Sequence, residues 1–140
     1  MTQALDGFPL LSELTSDERR ALEGYLEPCE LDGGSTLYRP GEEADALYFV
    51  LEGAITIRDG GQSLAELVAG EVLGALSVVS IGKRECQVVG ATPTRFLSLS
   101  REGYLRLRDE LPALALRLQE AILRSFSALV RGVLEDSRAS

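Results

Sequence analysis

The 140-residue sequence carries 14 Lys and Arg against 22 Asp and Glu, a formal charge of −8. That length fits one domain, 1–140, and that charge argues against nucleic acid or an anionic membrane as partner, since both are bound largely through cationic groups. The sequence contains no histidine, so imidazole-held metals and histidine-based acid–base or triad chemistry are excluded, and neither a metal site nor an enzyme is expected.

No basic start followed by an apolar run opens the chain, and no stretch approaches ~20 uninterrupted apolar residues. A cytoplasmic protein with no membrane span is therefore expected. Cys29 and Cys86 stand far apart in no ligand-like spacing, and read as small apolar residues in a reducing compartment.

The chain divides into a helical start (9–27), a β-rich middle (28–99) and a helical end (100–136). Thr15-Ser16-Asp17-Glu18 fits a capping box, with Thr15 as N-cap and Glu18 reaching back to it. Leu14, Ala21, Leu22, Tyr25 and Leu26 recur at helical spacing, and Pro28 is expected to stop the helix. Short runs then alternate with glycine-rich turns. Strands are expected at 35–38, 46–51, 54–57, 63–68, 86–91 and 94–99. Asp59-Gly60-Gly61 signals a tight hairpin, and Gly70 and Gly74 bracket another turn. Many short strands separated by turns mean a roll of the jelly-roll kind.

Ser100 can cap a short helix ending near Leu111-Pro112. A long helix follows, about Ala113 to Glu135. At 100° steps its apolar residues, among them Leu116, Leu123, Phe126 and Val130, span roughly 220°, more than the ~100° stripe that one packed face needs. Arg117, Glu120, Arg124, Arg131 and Glu135 fill the polar remainder. Leu116-Arg117, Leu123-Arg124 and Val130-Arg131 repeat at a heptad interval. The pattern predicts two buried faces, one toward the roll and one toward a second copy of the chain, with a helix packed only on its own domain as the alternative.

The run from Leu37 through Pro40-Gly41, Asp45, Tyr48-Phe49-Val50 and Gly53 resembles the opening of cyclic-nucleotide-binding domains. Those domains space a glycine, an aspartate, an aromatic–hydrophobic strand and a second glycine in this way. The similarity continues through Gly70-Glu71-Val72-Leu73-Gly74, Arg84 and the terminal helices, and so covers nearly the whole chain. It implies a double-stranded β-helix (jelly roll) with an N-terminal helix and a long C-terminal helix. For Tyr48 and Phe49 ordinary core packing is expected.

In that family a short helical turn offers backbone N–H groups to a cyclic phosphate, as helix N-termini do for anions. A glutamate accepts from the ribose, and an arginine neutralises the phosphate. By resemblance Gly74 takes the family's glycine, Leu76, Ser77 and Val78 the helical turn, and Arg84 the phosphate arginine. Two positions depart from the pattern. Ala75 replaces the ribose-binding glutamate, and a charged hydrogen bond of that kind contributes roughly 1.5–3 kcal/mol. Glu85 stands beside Arg84, where a carboxylate near a phosphate costs about 1–4 kcal/mol unless it points away. Cys86 completes the phosphate-site candidates. For Arg84 a surface ion pair with Glu85 or a neighbour stands as the alternative.

These readings lead to a non-catalytic regulatory domain with a degenerate phosphate motif, dimerising through its last helix. Its expected ligand is a small anion, with cyclic AMP or cyclic GMP as candidates, and its further partner an unidentified protein. The alternative is a dimerisation or docking module that has lost nucleotide binding. A catabolite-activator type would carry a DNA-binding helix-turn-helix after the long helix. The sequence ends at Ser140, so direct DNA binding is not expected.

Overall fold

Helix α1 (Ser16–Glu23) begins at the predicted cap. Thr15 Oγ1 accepts from the Glu18 amide at 3.1 Å, and Glu18 Oε1 accepts from the Thr15 amide at 2.9 Å. The helix ends sooner than expected, with the Gly24 amide returning to Ala21 and Leu22. Pro28 is not its stop. It lies inside β1 (Glu27–Leu31), an edge strand, where a residue without an N–H is tolerated. The computed structural model describes residues 4–74, 84 and 86–139, the stretch 126–139 by its backbone alone. Of the candidate site residues, Ala75, Leu76, Ser77, Val78 and Glu85, together with the Phe126 and Val130 side chains, lie outside the described residues.

Strands β2 (Thr36–Tyr38), β3 (Ala46–Glu52), β4 (Ala54–Asp59), β5 (Gln62–Val68), β6 (Val72–Leu73), β7 (Gln87–Gly90) and β8 (Thr94–Ser100) follow. Among the described residues they form two antiparallel four-stranded sheets, β1-β8-β3-β6 and β2-β7-β4-β5. The β4–β5 hairpin turns at Gly60 (φ 58°) and Gly61 (φ 83°), two successive positive values that favour glycine and match the strand twist. Between Gly70 and Gly74 the expected plain turn contains β6, whose Val72 and Leu73 pair with Phe49 and Tyr48. This jelly roll with helices at both ends is the fold class that the sequence predicts.

Strand β3 is apolar on both faces, and the period of two sorts its side chains. Leu47 and Phe49 pack outward against the helices, beside Phe8, Leu22, Leu99, Leu107 and Leu118. Val50 faces into the roll with Ile55, Leu73, Val88 and Phe96, and Tyr48 packs against them. Two cores result, one under the helices and one between the sheets.

Helix α2 (Arg101–Glu110) is capped by Ser100, whose Oγ accepts from the Gly103 amide at 3.0 Å. Helix α3 (Pro112–Ala139) opens on a proline, which suits a first helical position, and runs past the predicted bounds at both ends. Leu114, Ala115, Leu118, Ala121 and Ile122 are its buried stripe, whereas Leu116 and Leu123 are 55% and 53% exposed. Two of its heptad arginines fasten it to the N-terminal segment. Arg117 pairs with Glu18 at 3.0 Å, and Arg124 pairs with Glu13.

Candidate functional site

Arg84 is reached from the turn that carries the Pro40-Gly41 signature. Gly41 takes φ +88°, a value that favours glycine. Its amide donates to the Arg84 carbonyl at 2.9 Å, and the Arg84 amide donates to the Glu42 carbonyl at 2.7 Å. This two-bond clasp fixes the arginine's backbone. The side chain runs inward and is only 7% exposed, so it does not lie at the surface, and Glu85, the partner named in the ion-pair alternative, lies outside the described residues.

Inside the roll the guanidinium meets two aromatic rings and a carbonyl. Its carbon lies 4.1 Å from the Tyr38 ring centroid and 6.0 Å from that of Tyr48. Arg84 Nη2 donates to the Ala46 carbonyl oxygen at 2.7 Å. A guanidinium stays charged at any ordinary pH, and a buried charge must be compensated. Among the described contacts, the two ring faces and the carbonyl oxygen supply negative potential to it. Burial raises the Tyr38 phenol above its ordinary range, opposed by the nearby Arg84 charge. Burial likewise raises Tyr48, again against the pull of Arg84. The Tyr38 hydroxyl also accepts a hydrogen bond from the Arg84 side chain, which opposes the rise as well.

The thiols line the same space. Cys29 packs against the inner cluster, and burial pushes its thiol up. Cys86 lies close enough to Tyr38 to act on its phenol electrostatically. Both cysteines are free and half-buried. Gly74 closes β6 at φ +75° and leads into the stretch that the resemblance assigns to phosphate. Among the described residues no group of three His, Cys, Asp or Glu could hold a metal, and no helix is long and apolar enough to cross a membrane.

Of the candidates, Arg84 and Cys86 come together around Tyr38. Two partners were not anticipated. Tyr38 reads as an ordinary strand residue, and its place beside an arginine far along the chain leaves no local signal. Tyr48 was expected to be core packing. It does pack on Phe96, at 5.6 Å between ring centroids, but its ring also faces the arginine. Phe49 is core, as expected, and meets Phe8 edge-on.

Residues 28–110 match the family model of the cyclic nucleotide-binding domain. The chain belongs to the cyclic nucleotide-binding domain family. It is 31% identical over 125 residues to the cyclic AMP receptor protein of Thermus thermophilus, covering 86% of this chain and 58% of that protein. With the cAMP-dependent protein kinase regulatory subunit of Yarrowia lipolytica it shares 31% identity over 108 residues, 73% of this chain and 29% of the relative. The chain thus spans less than two thirds of these relatives. Among solved structures, the catabolite activator protein of Thermus thermophilus superposes with a TM-score of 0.74 at 30% identity, over 92% of this chain and 63% of that one. The N-terminal domain of a transcriptional regulator from Streptomyces coelicolor reaches a TM-score of 0.81 at 24% identity, over 91% and 95% of the two chains. That likeness concerns the fold. In this cyclic nucleotide-binding domain, Arg84 is held from the back by the turn at Gly41.

Proposed function

We propose that this domain is a non-catalytic sensor of a small phosphate-bearing anion, with cyclic AMP or cyclic GMP as candidate ligands and Arg84 as the anchor. The observation that carries this reading is a buried guanidinium directed into the roll, on an arginine whose backbone is clasped to the Gly41 turn. A cation at that place attracts an anion strongly, because the surroundings screen it less than water does. Gly74 and the segment after it would supply backbone donors. Ala75 removes the family's ribose acceptor and Glu85 adds a negative charge, so affinity is lowered relative to an intact motif. The free thiols suit a reducing cytoplasm. The domain extends over 1–140 and pairs with a second copy through the exposed flank of α3, passing occupancy to a protein partner.

Calorimetric titration of the full chain with cyclic AMP and cyclic GMP tests the ligand. Uptake at a dissociation constant of about 10 µM or below, weakened at least tenfold in Arg84→Lys with the fold retained, is the expected result. No heat at millimolar nucleotide would overturn it for those ligands.

A second reading has its own support. The guanidinium is engaged by Ala46 and Tyr38, as it would be in a dimerising or docking module whose arginine only braces the roll. In that case Arg84→Lys lowers stability and no nucleotide is taken up.

A further inference from the structure

Helices α2 and α3 meet at Leu111, and the corner they form stands against the start of α1. The Leu111 amide closes α2 by donating to the Leu107 carbonyl at 2.7 Å, and its carbonyl accepts from the Ala115 amide at 3.0 Å to open α3. Leu111 is 38% exposed, Pro112 and Ala113 are exposed beside it, and Leu114 is buried. With Ala21 of α1 these side chains line a cleft of about 400 Å³. Its remaining walls are the carboxylates of Asp17, Glu18 and Glu110, and among the described residues no lysine or arginine lines it. The C-terminal carbonyls of α2 and the N-terminal amides of α3 lie at the same corner, so their dipoles offset one another and the side chains decide the sign of the potential. Glu18 is taken up by Arg117 at 3.0 Å and by the Thr15 amide at 2.9 Å. Asp17 reaches Arg20 at 3.8 Å with both side chains exposed, a pairing that contributes little. Glu110 accepts from the Tyr25 hydroxyl, a neutral donor, at 2.6 Å. That bond is the first cause that raises the Tyr25 phenol, and the Glu110 charge adds to it, against the opposing pull of Arg106 over the same ring at 5.4 Å. The potential around Glu110 is thus negative even with Arg106 nearby.

We propose that this cleft is a docking site for a basic, apolar segment of a partner protein. The segment seats an apolar side chain on Leu111, Ala113 and Leu114 and pairs a neighbouring lysine or arginine with Asp17 and Glu110. An amphipathic helix supplies that combination, because residues three or four apart lie side by side on its surface. A small-molecule site encloses most of its ligand, whereas Leu111, Pro112 and Ala113 stand in solvent, which favours a segment laid along the corner. The formal charge of −8 draws a cationic partner from a distance. The docking site needs neither Arg84 nor a nucleotide, so it stands or falls apart from the sensor reading.

The probe is a soluble helical peptide of alanine, leucine and lysine, about four turns long, with a counterpart in which glutamate replaces lysine. Nitrogen-edited NMR of the full chain should show the lysine peptide moving the amide resonances of Ala21, Ala113 and Leu114 at a dissociation constant below about 1 mM. The glutamate peptide should move none of them. Ala113→Arg removes no buried contact and sets a cation in the cleft, and it should weaken uptake at least about fivefold. Asp17→Asn/Glu110→Gln should weaken it at least about twofold. Asp59→Asn/Glu66→Gln makes the same change of charge on the β4–β5 hairpin and should leave uptake within experimental error. No uptake at millimolar lysine peptide overturns the proposal, and so does uptake that leaves those three resonances in place, whether or not any variant folds. Equal loss in the two double variants would reduce the effect to net charge and overturn the site. Hexylammonium that moves the same resonances at equal or lower concentration makes the occupant a small cation, and a parent dimer that Ala113→Arg splits makes it a second copy. Either result overturns the partner segment.

Discussion

Tyr38 and Tyr48 bring two phenols into an interior that also holds a permanent cation, and their titration ties stability to pH. Burial raises both above the ordinary 10.0, with Arg84 opposing. Tyr25 is raised too, through its hydrogen bond to Glu110, but at the surface. A phenol with a raised folded value keeps its proton longer in the folded chain than in the unfolded one. Its contribution to stability is complete below the unfolded value and is lost as pH rises through the folded one. Urea midpoints should therefore decline as pH is taken from about 9 to 11. The double variant Tyr38→Phe/Tyr48→Phe should show a shallower decline, with the remainder traced to Tyr25 and the Cys29 thiol, which are raised as well. An unchanged slope in that variant would place the titrating groups elsewhere.

At the scale of elements, the junction between β3 and β4 is where the chain leaves one sheet for the other, and it turns on Gly53. The residue holds φ +90°, and an added Cβ would stand 2.3 Å from the Pro93 carbonyl oxygen and 2.9 Å from Thr94 Cα. Both obstacles are backbone and cannot swing aside. Gly53→Ala is expected to cost about 2–4 kcal/mol, combining positive-φ strain with the displacement of β8's start. Chemical denaturation would read this as a lowered midpoint, and a loss under about 1 kcal/mol would contradict it. That glycine was legible through the family resemblance, although its obstacles lie on a distant strand, whereas the capping box at Thr15 and the Gly60-Gly61 hairpin were legible because their signals are local. The two residues of β6 were not, because so short a strand is defined by its pairing with β3 and not by any pattern of its own. Arg84 could be picked out by its spacing from Gly74. The bulge in β2 against β7 that brings Tyr38 to it could not, since a slip in register between distant strands reverses the inside–outside alternation on which strand reading depends.

For the molecule as a whole, the described part of α3 separates what the domain uses from what it leaves uncovered. Leu114, Ala115, Leu118, Ala121 and Ile122 are buried against the roll and α2, and Arg117 and Arg124 reach the N-terminal segment. Arg117 and Arg124 therefore have partners inside the chain, and the leucines preceding them do not share the burial of the stripe. Leu116 and Leu123 are both more than half exposed. They lie one heptad apart, so they fall on the same flank of the helix. A second copy presenting the same flank would cover both, the self-complementary arrangement of a two-fold dimer. Because Leu123 is exposed in the single chain, Leu123→Glu removes no buried contact and adds charge only where a partner would press. Sedimentation at tens of micromolar should give a dimer for the parent and a monomer for Leu123→Glu, with thermal unfolding measured at low concentration little changed. A parent that sediments as a monomer would remove the second copy from the proposal and leave the flank to a different protein.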